Sequence, residues 1–174
     1  LSLRRQRQMC IRDSNWDNPK VRQEVFKMMR FWRDKGVGGF RLDVINLISK
    51  PADFPEDASD GRRFYTDGPN VHEYLQEMHR EVFEGHDLIN VGEMSSTSLE
   101  HCIRYSRPDS KELSMTFNFH HLKVDYPNQQ KWVQADFDFL ALKRILSDWQ
   151  TGMQAGGGWN ALFWCNHDLS LIHI

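Results

Sequence analysis

With 174 residues, 40% of them hydrophobic and 26% charged, the chain has the composition of an ordinary globular protein and enough length for one sizeable core. A net charge of −2 gives no basic surface for nucleic acid or an anionic membrane, and no apolar run is long enough to span a bilayer. The Arg-rich start lacks the apolar core of a secretory signal, and the three cysteines lack framework spacing, so we expect a cytoplasmic protein without nucleic-acid or membrane partners.

Both ends of the chain are expected to be non-native. The segment Leu169 to Ile174 back-translates to a short DNA whose reverse complement, extended by one base, encodes Met9 to Ser14. That DNA resembles a transposase adapter used in sequencing libraries. We therefore leave Leu1 to Ser14 and Leu169 to Ile174 out of the fold prediction and take 15–168 as the native part, cut from a longer gene.

A first helix is predicted from Asn18 to about Gly36. Asn18 can cap its N-terminus, Pro19 fits the first helical position, and Lys35-Gly36 suits its end. Four apolar residues at helical spacing form the stripe that should face the core: Val21, Val25, Met28 and Trp32.

The stretch from Gly38 to Asn46 predicts a buried parallel strand, because two glycines open a short apolar run that includes Val44 and Ile45. It also holds two charges, Arg41 and Asp43, one residue apart. Side chains alternate along a strand, so both charges share one face and can touch. Such a pair is costly in a core strand, and it indicates either a structural ion pair or a functional site.

The rest of the chain continues the alternation of helix and strand. A polar passage with three prolines, Ser49 to Pro69, predicts a loop excursion over a site. Helices are expected at Asn70 to Phe83, at Thr97 to Tyr105 and from Asp136 or Asp138 to Gln150, and strands at Leu88 to Met94, Leu113 to Phe119 and Trp159 to Cys165. The apolar stripe of the second helix comprises Val71, Leu75, Met78 and Val82.

This alternation predicts an α/β fold with a parallel sheet covered by helices. One strand–helix unit of an eightfold barrel averages about 31 residues. The 50 residues from Asp43 to Glu93 fit one unit plus the long loop, and the 75 from Glu93 to Asp168 fit two units. We therefore predict a partial TIM (β/α)8 barrel. The alternative is an open doubly wound sheet, but no Gly-rich phosphate turn follows any predicted strand.

Three carboxylates, Asp43, Glu93 and Asp168, stand at the C-terminal ends of predicted strands. These ends converge on one face of a parallel barrel, where such enzymes place their sites. Acids held close together raise one another's proton affinity, so one can stay protonated while another is ionised. Glycosidic bond cleavage requires this combination, and Arg41 beside Asp43 would keep that carboxylate ionised, as a nucleophile needs.

Three segments resemble signature segments of the α-amylase family (glycoside hydrolase 13), in the family's order. They are Gly39-Phe40-Arg41-Leu42-Asp43, Val91-Gly92-Glu93 and Asn166-His167-Asp168. The resemblance implies that Asp43 is the nucleophile, Glu93 the general acid/base and Asp168 the transition-state stabiliser. It also implies that Arg41 and His167 contact sugar and carboxylate, and that the piece covers roughly the strand 4 to strand 7 half of the barrel.

Longer stretches resemble one branch of this family. Val44 directly after the nucleophile is similar to the α-1,6-acting branch, whereas 91–97 and 117–126 are similar to members that cleave trehalose 6-phosphate to glucose and glucose 6-phosphate. Histidines and a lysine suit a phosphate dianion, so we expect His120, His121 and Lys123 to help select a phosphorylated disaccharide. The alternative is that these three are ordinary surface residues.

Two other functions stay open beside this one. An oligo-1,6-glucosidase is the enzymatic alternative. A non-catalytic barrel relative, such as a transporter heavy-chain ectodomain, would need degraded catalytic positions and a membrane anchor. The 174-residue chain itself is expected to be inactive, since half a barrel leaves strand edges open.

No metal or cofactor is expected. His72 and His79 have no third ligand nearby, and Glu56, Asp57 and Asp60 lack the spacing of a calcium loop.

Overall fold

The computed structural model describes residues 14–53, 55, 62–130, 133 and 135–164. The expected non-native ends therefore lie outside the described residues, except for Ser14, and their origin stays a prediction. The helices and strands in chain order are α1 (Pro19–Asp34), β1 (Gly39–Leu42), α2 (Arg62–Tyr65), α3 (Val71–Met78), β2 (Ile89–Glu93), α4 (Leu99–Ser106), β3 (Met115–Phe117) and α5 (Phe139–Ala155).

The three strands form one parallel sheet in the order β1-β2-β3. Arg41 pairs in register with Val91, and Glu93 pairs with Phe117, so the C-terminal ends of neighbouring strands lie side by side. A side chain at Gly39 would overlap the carbonyl of Ile89, which explains why glycine begins β1. Helix–strand alternation thus produces the parallel α/β sheet that the sequence predicts.

The predicted fourth strand is much shorter in the structure. Asn160 forms a single parallel bridge with Thr116, supported by hydrogen bonds from Thr116 N to Trp159 O (3.1 Å) and from Ala161 N to Thr116 O (2.8 Å). No further ladder forms over 161–164, and Cys165 lies outside the described residues. The segment still extends the sheet on the β3 side, as the barrel prediction requires.

Helix α1 begins as predicted, but it buries a different face. The Asn18 side chain accepts a hydrogen bond from Lys20 N (3.0 Å), while Phe26 and Met29 are buried and both Met28 and Trp32 are about half exposed. Val25 packs against the core as predicted, whereas Met28 and Trp32 do not, so the second half of the predicted stripe was wrong. The packed face also carries arginines, whose aliphatic stems can be buried while their charged ends find partners.

Those partners lie on the next helical segment. Arg22 Nε donates to Glu77 Oε2 at 2.5 Å, and Arg33 Nη1 donates to Val82 O at 3.0 Å. Polar pairing therefore selects the packed face of α1, which a hydrophobic pattern alone cannot show.

The second helical stripe is confirmed. Val71, Leu75, Met78 and Val82 are all at most 2% exposed. Helix α3 ends at Met78 and continues as a π-helical turn, His79–Phe83, so the predicted single helix contains a change of helical pitch.

Two other helices also begin at a side-chain cap, of which Asp138 was one of the two predicted candidates. Ser98 caps α4 by accepting from His101 N at 3.2 Å, and Asp138 caps α5 by accepting from Ala141 N at 2.9 Å. The passage 49–69 was predicted as a loop excursion over a site, and its described part contains the short helix α2. None of the described helices is both long and apolar enough to cross a membrane.

The core lies between the sheet and α1, α3, α4 and α5. Its members are buried and pack against one another: Phe26, Met29, Ile45, Val71, Leu75, Met78, Val82, Phe83, Met94, Cys102, Tyr105, Leu113 and Met153. Cys102 is a buried free thiol, as expected of a small core residue.

Replacing Leu75 by Ala should lower the free energy of unfolding by about 3 kcal/mol, because a buried leucine leaves a cavity that its neighbours fill only in part. Urea denaturation measures the change. The control is Glu73→Ala on the exposed face of the same helix, which should change stability by about 0.5 kcal/mol or less. Equal losses in both variants would contradict the assigned core.

Candidate active site

One arginine holds two carboxylates at the C-terminal edge of the sheet. Arg41 Nη1 lies 2.6 Å from Asp43 Oδ1, and Arg41 Nη2 lies 2.5 Å from Glu93 Oε2. The predicted contact between Arg41 and Asp43 is therefore confirmed. The expected meeting of Asp43 and Glu93, 50 residues apart in the chain, is also observed.

The parallel register brings these groups together. Asp43 directly follows β1, and Glu93 is the last residue of β2. The third strand contributes Phe117, whose ring centroid lies 5.7 Å from the Arg41 guanidinium carbon. Cation–π attraction of this kind favours a guanidinium held over the ring. Each of the three strands thus supplies one part of the site.

The strand predicted from Gly38 to Asn46 ends at Leu42, so its second half was wrong, and the backbone turns sharply after Asp43. Val44 has φ 36° and ψ 45°, a left-handed conformation that is rare for a β-branched residue. In this conformation its N–H donates to Glu93 Oε2 at 3.3 Å. Strain of this kind clusters at functional sites and persists only where the surroundings hold it.

The two carboxylates have different environments. The Glu93 side chain is 7% exposed, whereas the Asp43 side chain is 73% exposed. Burial raises the pKa of Glu93; the Val44 N–H opposes this, the neighbouring Asp43 carboxyl adds to it, and Arg41 opposes it. The net pKa of Glu93 lies above its ordinary value, which favours a protonated acid at that position.

The residues expected to bind phosphate lie in one 3₁₀ turn, His120–Lys123, which follows β3. Burial, aided by Lys123, lowers the pKa of His120, and its ring lies 5.2 Å from that of Trp149 in α5. Burial also lowers the pKa of His121, which is 6% exposed and meets Phe163 edge-on at 4.8 Å. Lys123 is exposed. Both histidines therefore favour the neutral form.

Two predicted site residues cannot be placed. Asp168 and His167 lie outside the described residues, so the third carboxylate stays a prediction. Within the described part of the chain, no group of three or more His, Cys, Asp or Glu side chains is arranged to hold a metal ion.

Sequence reasoning assigned no role to two groups that the structure brings to the site. One is the backbone N–H of Val44, which no side-chain pattern reveals. The other is Asn46, a fully buried amide in an otherwise apolar run. A polar residue among Val44, Ile45, Leu47 and Ile48 was the available signal, since buried amides are normally hydrogen-bonded.

Comparison with known families shows which family the chain belongs to. The family model for the alpha amylase catalytic domain matches residues 4–173. The chain belongs to the α-amylase family. The predicted membership is therefore confirmed, and the parallel sheet with its covering helices is part of the barrel domain of the α-amylase family.

Two relatives and one solved structure share a name. The trehalose-6-phosphate hydrolases of Bacillus subtilis (strain 168) and Escherichia coli (strain K12) are 68% and 63% identical over 157 residues. A crystal structure of the Bacillus licheniformis trehalose-6-phosphate hydrolase superposes with a TM-score of 0.87 at 66% identity, covering 90% of this chain and 28% of that one. The two curated relatives are also covered over 28% of their length, against 90% of this chain.

Replacing Glu93 by Gln should stabilise the protein at neutral pH. Its raised pKa means that the folded chain holds this proton more tightly than the unfolded chain. The cost of ionising Glu93 is absent below its ordinary pKa of 4.5 and grows as the pH rises through the folded pKa. The gain in melting temperature should therefore increase as the pH rises above 4.5.

In the control variant, the melting temperature should change in the opposite direction. A hydrogen bond from Arg107 lowers the pKa of Asp109, so Asp109→Asn should slightly lower the melting temperature at neutral pH. A gain for Glu93→Gln that does not change with pH would contradict the inferred ionisation of a buried acid.

Proposed function

We propose that this chain carries the nucleophile and the acid/base of a retaining glycoside hydrolase that cleaves the α-glucosidic bond of trehalose 6-phosphate to glucose and glucose 6-phosphate. The bridge from Arg41 to both Asp43 and Glu93 carries the proposal, because it holds two carboxylates together at the strand ends. The names of the relatives support the choice of substrate.

The environments of the two carboxylates suit two different roles. Asp43 is largely exposed beside a guanidinium, and a carboxylate paired with a cation stays ionised, as a nucleophile must. Glu93 is buried with a raised pKa, as a proton donor requires. One guanidinium contacts both, and the Asp43 carboxyl also lies within hydrogen-bond reach of Glu93, so the pair is closer than the separation of about 6.5–9.5 Å in inverting enzymes.

The reaction proceeds in two steps. Asp43 attacks the anomeric carbon while Glu93 transfers its proton to the departing glycosidic oxygen, so one C–O bond forms and one breaks. Water then attacks the glycosyl-enzyme ester, and the Glu93 carboxylate takes a proton from that water. This returns Asp43 to its carboxylate form and Glu93 to its acid form. Arg41 stays charged throughout and keeps both side chains aimed.

We further propose that Asp168 stabilises the transition state and that His167 and Arg41 contact the sugar, on the strength of their matching segments. The strands and the Asn160 bridge would then represent strands 4 to 7 of the barrel, since the described sheet is parallel and runs in chain order. A cytoplasmic location and the absence of nucleic-acid and membrane partners stay predictions from composition.

The turn His120–Lys123 is proposed to recognise the phosphate. Its position directly after β3 supports this, because the acids also stand at strand ends. His121 Nε2 is buried and has no hydrogen-bond partner, which is uncommon and leaves one ring nitrogen available to a ligand. A neutral His121 that donates to the Phe163 backbone carries no proton on Nε2, so Nε2 would donate to the phosphate only once the ring is protonated. Lys123 would supply the fixed positive charge.

The assay uses the full-length protein that contains this segment. It should release glucose and glucose 6-phosphate from trehalose 6-phosphate, with the glucose appearing first as the α-anomer. Glu93→Gln should lower kcat on this substrate by about 10²–10⁴-fold but much less on an activated aryl α-glucoside, whose leaving group needs no proton. Asp43→Asn should abolish turnover of both.

The control for this assay is Asp109→Asn, which alters a carboxylate in the turn Pro108–Ser110 before β3 and should leave kcat unchanged. Preference for isomaltose over trehalose 6-phosphate would assign the protein to the oligo-1,6-glucosidases instead. The 174-residue chain alone should show no turnover.

Lys123→Ala should raise KM for trehalose 6-phosphate much more than KM for an uncharged aryl α-glucoside, because only the first substrate carries the dianion. Steady-state kinetics on both substrates measures this. The control is Lys111→Ala, which removes another exposed lysine, directly after the turn Pro108–Ser110, and should change neither KM. Equal effects of Lys123→Ala on both substrates would refute the phosphate role.

A further inference from the structure

The Asn46 side chain joins the two segments that follow the candidate catalytic residues. Asn46 lies three residues after Asp43 and is 0% exposed. Its Oδ1 accepts from Ser95 N at 2.9 Å, and its Nδ2 donates to Ser95 O at 2.8 Å. Ser95 in turn lies two residues after Glu93. One amide therefore satisfies both backbone groups of a single residue on the neighbouring strand connection.

Asp67 also holds Asn46 in place, through both its side chain and its backbone. Asn46 Nδ2 also lies 3.2 Å from Asp67 Oδ1, and the backbone N of Asp67 donates to Asn46 O at 2.9 Å. Asp67 Oδ1 accepts from Tyr105 Oη at 2.7 Å, and Asp67 Oδ2 lies 2.6 Å from His101 Nδ1. The buried amide is thus fixed by α4 as well as by the strand connection. Buried polar networks that are satisfied in this way are rigid.

The strained turn lies between Asp43 and this amide. Asn46 is the middle residue of the 3₁₀ turn Ile45–Leu47, and the left-handed Val44 precedes that turn. Leu47 N donates to Val44 O at 3.0 Å, so the turn that contains Asn46 holds the carbonyl side of Val44 and limits rotation about its φ and ψ. A valine released from such a contact would relax to negative φ, where its N–H no longer points at Glu93.

We propose that Asn46 is a positioning residue for the hydrolysis: by holding Ser95, it keeps the Val44 N–H on the Glu93 carboxylate and keeps the connections after Asp43 and Glu93 in one arrangement. The proposal rests on the proposed function for its kinetic test, and on the geometry alone for its structural one.

The direction of the kinetic effect follows from the surroundings of Glu93. Among the described residues, the charged or titratable groups facing Glu93 are Arg41 and Asp43, and the Val44 N–H is the backbone donor. That N–H lowers the pKa of Glu93, so its loss should raise the pKa further. A general acid with a higher pKa stays protonated to higher pH, and the basic limb of the kcat/KM profile should move in the same direction.

The experiment compares Asn46→Ala and Asn46→Ser with a matched control in the full-length protein. Serine keeps a hydroxyl in the buried site but is too short to hold both groups of Ser95. The control is Asn90→Ala. Asn90 is also buried, accepts from Ser114 N and donates to Glu112 O at 3.2 Å, but it stands near the N-terminal end of β2, away from Glu93.

Both Asn46 variants should lose about 10- to 100-fold in kcat on trehalose 6-phosphate, with little change in KM, because a small displacement of a catalytic group is costly. The basic limb of the kcat/KM profile should move to higher pH in both Asn46 variants. Asn90→Ala should lose stability, but its basic limb should not move. An unmoved limb in folded Asn46 variants would overturn the proposal, as would an equal movement in Asn90→Ala.

A crystal structure of Asn46→Ser gives a readout that needs no activity. We expect Val44 to leave the left-handed region and its nitrogen to move beyond hydrogen-bond distance from Glu93 Oε2. An unchanged Val44 would overturn the proposal even if kcat falls. If the parent protein does not hydrolyse trehalose 6-phosphate, the proposed function fails, while this structural test still decides the role of Asn46.

Discussion

The ion pairs of Arg41 with Asp43 and Glu93 are the constraint around which the described structure is organised. A guanidinium is planar and always charged, so it can hold two carboxylates at once in fixed directions. Arg41 can contact both carboxylates only if the C-terminal ends of β1 and β2 lie side by side. The parallel register of the two strands places them so. The ring of Phe117 from β3 packs against the guanidinium on a third side and restricts its movement.

Burial of Glu93 opposes stability at neutral pH but suits chemistry. Desolvation makes the ionised form unfavourable, and Arg41 with the Val44 N–H offsets only part of that cost, since the net pKa remains raised. Functional sites often keep groups that a more stable protein would replace. The same side chain is therefore expected to limit stability and to supply the proton.

The surroundings of the site are rigid for reasons that concern hydrogen bonds more than apolar packing. Asn46, Asp67, Tyr105 and His101 form a connected set of side-chain contacts beneath the strand ends. Their bonds join the connections after β1 and β2 to α4. A left-handed Val44 can persist beside this set because the turn that follows it cannot move freely.

Sequence pattern alone determined the alternation of helix and strand, the stripe of α3, the capping residues Asn18 and Asp138, and the positions of Asp43 and Glu93 at strand ends. These are local properties, set by spacing and by the chemistry of single residues. Tertiary structure alone decided which face of α1 packs, how far the segment after Trp159 pairs with β3, and what Asn46 and the Val44 N–H contact. Those outcomes depend on partners distant in the chain, such as Glu77 for Arg22 and Ser95 for Asn46, and no local pattern specifies which distant group a buried donor will meet.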